Sequence, residues 1–160
     1  MSSPAFLPPD IYRAVTRGEL QKLIKWLRKG GSVDALCSDD GQASFVVLHA
    51  ASGCCHLEMV RELLKRGASV DLPTSGGVTP LMMAAGYGLP SILHVLLHHS
   101  ANPDLQSNSG VTALMLAALV GQEACVQTLL RAKANTELLD KDGDTALQRA
   151  EVKGHTAVAE

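Results

Sequence analysis

The strongest constraint on this chain is a segment that returns every 33 residues. Gly77-Val-Thr79-Pro80-Leu81 recurs as Gly110-Val-Thr112-Ala113-Leu114 and again as Gly143-Asp-Thr145-Ala146-Leu147. One further step back falls on Ser44, followed by Val46-Val47-Leu48-His49. The pairs Ala84-Ala85 and Ala117-Ala118, the glycines Gly88, Gly121 and Gly154, and Asp71 with Asp104 keep the same register. A period of this length marks a repeat architecture, whose units cannot bury their apolar faces alone and must stack.

Each unit has a physical reading. Gly allows a tight turn, and the following Thr offers an oxygen as N-cap of a helix. Pro80 suits the first helical position, where its missing N–H costs nothing. The small Ala pair lets neighbouring helices approach closely, and Gly88 ends the helix. A second helix starts near Pro90 or Ser91. Its apolar positions Ile92, Leu93, Val95, Leu96 and Leu97 predict burial over much of its circumference. Ser100-Ala-Asn-Pro-Asp104 then opens a long polar turn.

Composition agrees. Aromatics make up 3% of the chain while 46% of residues are apolar, so aliphatic side chains and Ala must build the core. At 160 residues the chain suits one domain. A net charge of −2 and a pI near 6.3 argue against nucleic acid as partner. No run is long enough to cross a bilayer, and the N-terminus does not read as a signal peptide. Cys37, Cys54, Cys55 and Cys125 form no disulfide framework, which points to an intracellular, reducing location, cytoplasmic or extending to the nucleus.

With Leu48-His49-Ala50-Ala51-Ser52, His56-Leu57-Glu58-Met59-Val60 and Thr79-Pro80-Leu81 in one register, the chain resembles the ankyrin-repeat family from about residue 8 to 160. The resemblance implies an all-α solenoid of helix-turn-helix units with β-turn or hairpin fingers. It would form a single domain, 1–160, of five units at about 8–37, 38–72, 73–105, 106–138 and 139–160. The first unit is a polar N-terminal cap. The last is incomplete and is expected to belong to a longer protein. Extra residues in Cys37-Ser-Asp-Asp-Gly-Gln-Ala-Ser44 predict an enlarged first finger turning at Asp40-Gly41. Met82, Met115 and Gln148 replace the family's usual His, as at His49, so the Thr–His bonding between units should be weaker. Lys133 stands where Gly67 does, at a left-handed position.

Residues that could carry chemistry read better as structure. His94, His98 and His99 lie on the solvated side of a helix and fall short of a zinc ligand set. Cys54-Cys55-His56 lacks a visible base and orienting partner. Thr74-Ser-Gly-Gly77 and Ser107-Asn-Ser-Gly110 lack the ending of a phosphate loop. Met82-Met83 and Met115-Leu116 are expected to fill the core. No catalytic residue, cofactor or metal is expected, and the chain is not read as an enzyme.

The resemblance places partner binding on the concave side, through finger tips and the exposed flank of the first helices. Those positions are Arg17 beside Thr16; Phe45, Gly53 and Cys54; Val78, Gly86 and Tyr87; Val111, Leu119 and Val120; and Asp144, Val152 and Lys153. Phe45, Val78, Tyr87, Val111, Leu119 and Val120 need not be buried for folding, and an exposed apolar patch marks a binding site. Residues 1–35 carry a count of +3 and residues 136–160 a count of −3, a polarity able to orient an extended ligand. The expected function is a protein-interaction module, a monomer by itself, that binds another protein or peptide segment in its groove. The alternatives are an N-terminal regulatory or docking domain of a larger enzyme or channel and, less favoured, a metal-dependent or hydrolytic enzyme.

Overall fold

The structure, a computed structural model, describes residues 5–39 and 43–159. Its helices form where the repeated segment provides a start. Thr79, Thr112 and Thr145 are extended N-caps whose Oγ1 accepts the backbone N–H of Met82, Met115 and Gln148 at 3.3, 3.2 and 3.3 Å. They open α5 (Pro80–Gly86), α7 (Ala113–Val120) and α9 (Ala146–Val152). Val46 offers no such acceptor, so α3 (Val47–Gly53) begins without one. There the Val46 N–H is taken instead by His49 Nδ1 at 3.2 Å.

Each of these helices is followed by a second that runs back beside it. The pairs are α1 (Pro9–Thr16) with α2 (Leu20–Arg28), α3 with α4 (Leu57–Lys65), α5 with α6 (Pro90–His98), α7 with α8 (Glu123–Arg131) and α9 with α10 (Thr156–Ala159). Helices of four to nine residues do not persist alone in water, so packing must hold them. The first helices pack in file, α1 on α3, α3 on α5, α5 on α7 and α7 on α9. The second helices form a parallel row from α4 through α6 and α8 to α10. The result is an all-α solenoid.

Two kinds of register column make this stacking possible. Ala14, Ala51, Ala84, Ala117 and Ala150 are each at most 1% exposed and let the first helices approach closely. Between the two rows lie Met59, Ile92 and Cys125; Val60, Leu93 and Val126; and Leu63, Leu96 and Leu129, all buried. Full burial of one such aliphatic side chain contributes about 1.5–3 kcal/mol.

The fingers join neighbouring units. β1 (Leu36–Asp39) and β2 (Ala43–Val46) form an antiparallel hairpin in which Leu36 pairs with Val46 and Cys37 with Phe45. This is the enlarged first finger; its expected turn at Asp40-Gly41 lies outside the described residues. The later fingers are tight turns closed by Thr74 N–H to Val78 O, Ser107 N–H to Val111 O and Asp140 N–H to Asp144 O, with Gly77, Gly110 and Gly143 N–H returning to the Thr74, Ser107 and Asp140 carbonyls. Adjacent tips are tied by Asn108 N–H to Gly76 O and Lys141 N–H to Ser109 O, both 3.0 Å. A ladder of aspartates repeats beneath them. Asp34 accepts from the Ser69 N–H, Asp71 from Asn102 and Asp104 from Asn135.

Lys133 does adopt a left-handed backbone, with φ 60°, and Ser100 in the same column and Cys55 in the column of Gly88 and Gly121 share that strain. Among the described residues no helix is long and apolar enough to cross a membrane.

Candidate functional site

The row of first helices presents the face on which the expected binding residues fall. Its three middle members, α3, α5 and α7, contain no Asp, Glu, Lys or Arg. Their inner flanks are spent on Ala and on Leu81, Met82, Leu114 and Met115, all nearly inaccessible. The outer flanks are left to fewer, larger side chains.

Tyr87 caps α5 at its C-terminus and is 64% exposed; Val120 ends α7 at 47%; Val152 ends α9 at 76%. Cys54 and Arg17 are also exposed, each at the C-cap of its helix. Phe45, Val78, Val111 and Leu119 are half-buried. Asp144 is half-buried and lies 3.5 Å from Arg149.

The structure brings Phe45, Cys54 and Tyr87 together around one cavity of about 280 Å³. Its other walls include Tyr12, Ala50, Gly53 and Met83, and Thr16 and Thr74 supply polar edges. The Tyr12 and Phe45 rings meet edge to face with centroids 6.1 Å apart, a favourable aromatic arrangement. A Cβ at Gly53 would stand 3.0 Å from Met83 Cε and 3.5 Å from the Tyr87 ring, so the missing side chain gives these two room. His49 forms part of the floor. It is fully buried, and burial pushes its pKa down against two backbone hydrogen bonds that favour the charged form. Arg17, Val78, Val111, Leu119, Val120, Asp144 and Val152 stand outside this cavity.

Tyr12 and Met83 were not among the expected site residues. Met82 and Met115 fill the core as expected and Leu116, half-buried, packs against it, but half-buried Met83 lines the cavity. The reason is geometric: residues adjacent on a helix point about 100° apart, and Met83 and Leu116 fall beyond the arc that Leu81, Met82, Leu114 and Met115 fill. Tyr12 precedes His49 by the same interval, 37 residues, by which Thr16 precedes Gly53, so the extra finger residues hide its register.

Two histidines tie units together from outside the core. His56 Nε2 donates to Thr16 O at 3.0 Å, and His155 Nε2 to Leu119 O at 3.1 Å. At the acidic end Arg149 gathers three aspartates. Its Nε bonds Asp140 at 2.7 Å and its Nη2 bonds Asp142 at 2.8 Å, with Asp144 beside them. Burial would raise the Asp140 pKa, but the Asp144 N–H, Arg149 and the Asp142 N–H together hold it below the usual value.

Cys37 and Cys125 are buried, which pushes the Cys37 thiol up to about 12 and raises Cys125. His94, His98 and His99 are exposed, the last two with rings 5.9 Å apart. Among the described residues no group of three or more His, Cys, Asp or Glu is placed to hold a metal. The face offers apolar contact and shape.

Comparison with known families agrees with the geometry. The family model described as ankyrin repeats (3 copies) matches residues 11–107 and 87–160. No curated protein matches the chain.

Proposed function

The chain belongs to the ankyrin-repeat family, whose repeats are generally protein–protein interaction modules, and on that premise we propose that it binds a segment of another protein along the face of its first helices. The five units fall at about 8–37, 38–72, 73–105, 106–138 and 139–160, and together form one domain that is a monomer without its partner. The supporting observation is the uncharged stretch over α3, α5 and α7, which keeps Tyr87 and Val120 in solvent although folding does not require it. Exposed apolar side chains on a charge-free face fit a partner's apolar surface and would be unfavourable against nucleic acid.

The partner segment lies over Tyr87, Val111 and Leu119, oriented by the basic first unit and the acidic last one. The test is affinity capture from cell lysate with the native chain and a Tyr87→Ala/Leu119→Ala variant of unchanged melting temperature. Proteins recovered only by the native chain support the reading. An identical set from both contradicts it.

A second reading, docking in cis within a larger enzyme or channel, is favoured by an apolar cleft of about 330 Å³ between α7–α8 and the last helix pair. Leu130 and Leu147 there are 47% and 49% exposed. Native sequence adjoining Glu160, if it covers this cleft, raises the melting temperature; an unchanged value speaks against docking there.

A further inference from the structure

We propose that the cavity framed by Tyr12, Phe45, Met83 and Tyr87 is the anchor subsite of this face, taking one apolar side chain from a partner segment that carries carboxylates toward the α1 end. This rests on the protein-binding reading above and adds the chemistry of the partner.

The anchor half follows from shape and composition. The cavity of about 280 Å³ lies at or just below the lower end of small-molecule pockets. It suits a leucine, methionine or phenylalanine side chain. The edge-to-face pair of Tyr12 and Phe45 forms one wall, and Met83 with Tyr87 the other. Met83 is flexible and can adapt to the guest. Gly53 and Ala50 keep the floor low, since neither projects a long side chain. Such a recess of aromatic and small residues is where interface energy concentrates.

The charge half follows from what surrounds that recess. Toward α7 the face stays uncharged. Toward α1 lie Arg13, Arg17 and Lys22 against Asp10 and Glu19. Asp10 is drawn to Lys22 at 3.9 Å, whereas among the described residues Arg13 and Arg17 are in no ion pair. Arg17 directly follows Thr16, an edge residue of the cavity. An anchor seated there brings the adjoining partner residues toward Arg17, which acidic side chains complement and basic ones would oppose.

The experiment uses the full chain as bait for a displayed library of short random peptides, with enriched sequences resynthesised as fluorescein conjugates and followed by anisotropy. Enriched peptides should share an apolar residue with Asp or Glu close by. Tyr87→Ala and Arg17→Glu, both at exposed positions and checked for unchanged melting temperature, should each weaken binding by about tenfold or more. Exchanging the peptide's acid for Arg should restore affinity for the Arg17→Glu variant.

Binders that lose affinity on Tyr87→Ala and Leu119→Ala but ignore Arg17→Glu, with no acidic enrichment, overturn this inference and leave the face as a binding surface. Binders indifferent to all three substitutions overturn both. Concentration-dependent dimers in sedimentation, abolished by Arg17→Glu, would assign the subsite to a second copy of this chain and also overturn it.

Discussion

The imidazole of His49 bridges two neighbouring units. Its Nδ1 accepts the Val46 N–H at 3.2 Å and its Nε2 donates to the Val78 carbonyl at 2.9 Å, which fixes a neutral ring with the proton on Nε2. In the next two units Met82 and Met115 offer only a sulfur to Thr79 and Thr112, at 3.5 and 3.4 Å, and cannot donate onward. The expected weakening of this bond therefore falls between the later units, where Met82 and Met115 lack the donor that His49 supplies. The same ring floors the cavity, so stability and the proposed site meet at one residue.

That ring makes stability depend on pH. Burial holds the folded pKa of His49 below the ordinary value of about 6.5. Above that value both states are neutral and nothing changes. Below it the unfolded chain takes up a proton that the folded ring refuses, so stability falls as pH drops toward the folded value. His49→Met, which copies Met82 and Met115, should remove this loss below about pH 6.5. It should also cost about 1 kcal/mol at pH 7.5 through the lost bond to Val78. Urea midpoints across that range check both; parallel curves for the two proteins would contradict the assignment.

Lys133 holds a left-handed backbone with φ 60° where Gly67 has φ 86°. Lys133→Gly relieves that strain but loosens the unfolded chain, leaving a net stabilisation of about 0.5–1 kcal/mol. The gain would appear as a higher urea midpoint with unchanged slope. A lower midpoint would mean that the Lys side chain makes a compensating contact.

Ser52 is fully buried, and among the described residues its hydroxyl has no hydrogen-bond partner. Ala85 and Ala118 occupy the same register. Ser52→Ala should therefore raise stability by about 1 kcal/mol, the cost of an unmet buried hydroxyl. Thermal denaturation tests this; destabilisation would show that the hydroxyl is satisfied in solution.

The four cysteines divide by burial. Cys54 and Cys55 are exposed, while Cys37 and Cys125 are buried with raised pKa values, about 12 for Cys37. Iodoacetamide at mild alkaline pH should label the first two rapidly and reach the others only after denaturation. Mass spectrometry of the native protein showing Cys125 modified as fast as Cys54 would mean that α8 opens readily.

Much of the fold was legible because its demands fall on single residue types. A helix start needs the Thr oxygen, a close crossing needs Ala, and both recur at Thr79/Thr112/Thr145 and Ala84/Ala117/Ala150. The roles of Asp34, Asp71 and Asp104 were not, because all three accept from backbone N–H groups of the next unit, at Ser69, Asn102 and Asn135, and only Asp34 adds a side-chain partner, the Ser69 hydroxyl. The hairpin of β1 and β2 was foreseen from its extra length, yet that length also displaced Tyr12 from the 33-residue register and concealed its contact with Phe45. Cys55 in a glycine column and Arg149 among three aspartates depend on local geometry that spacing does not record.

The most direct measurement is backbone amide NMR of the isotope-labelled full chain, titrated with a partner segment that binds it. The largest shift changes should fall on Gly53, Tyr87 and Leu119 and their neighbours in α3, α5 and α7, with α4, α6 and α8 little affected. Changes confined to α4, α6 and α8, with the first helices unmoved, would place binding on the opposite face and contradict the central claim.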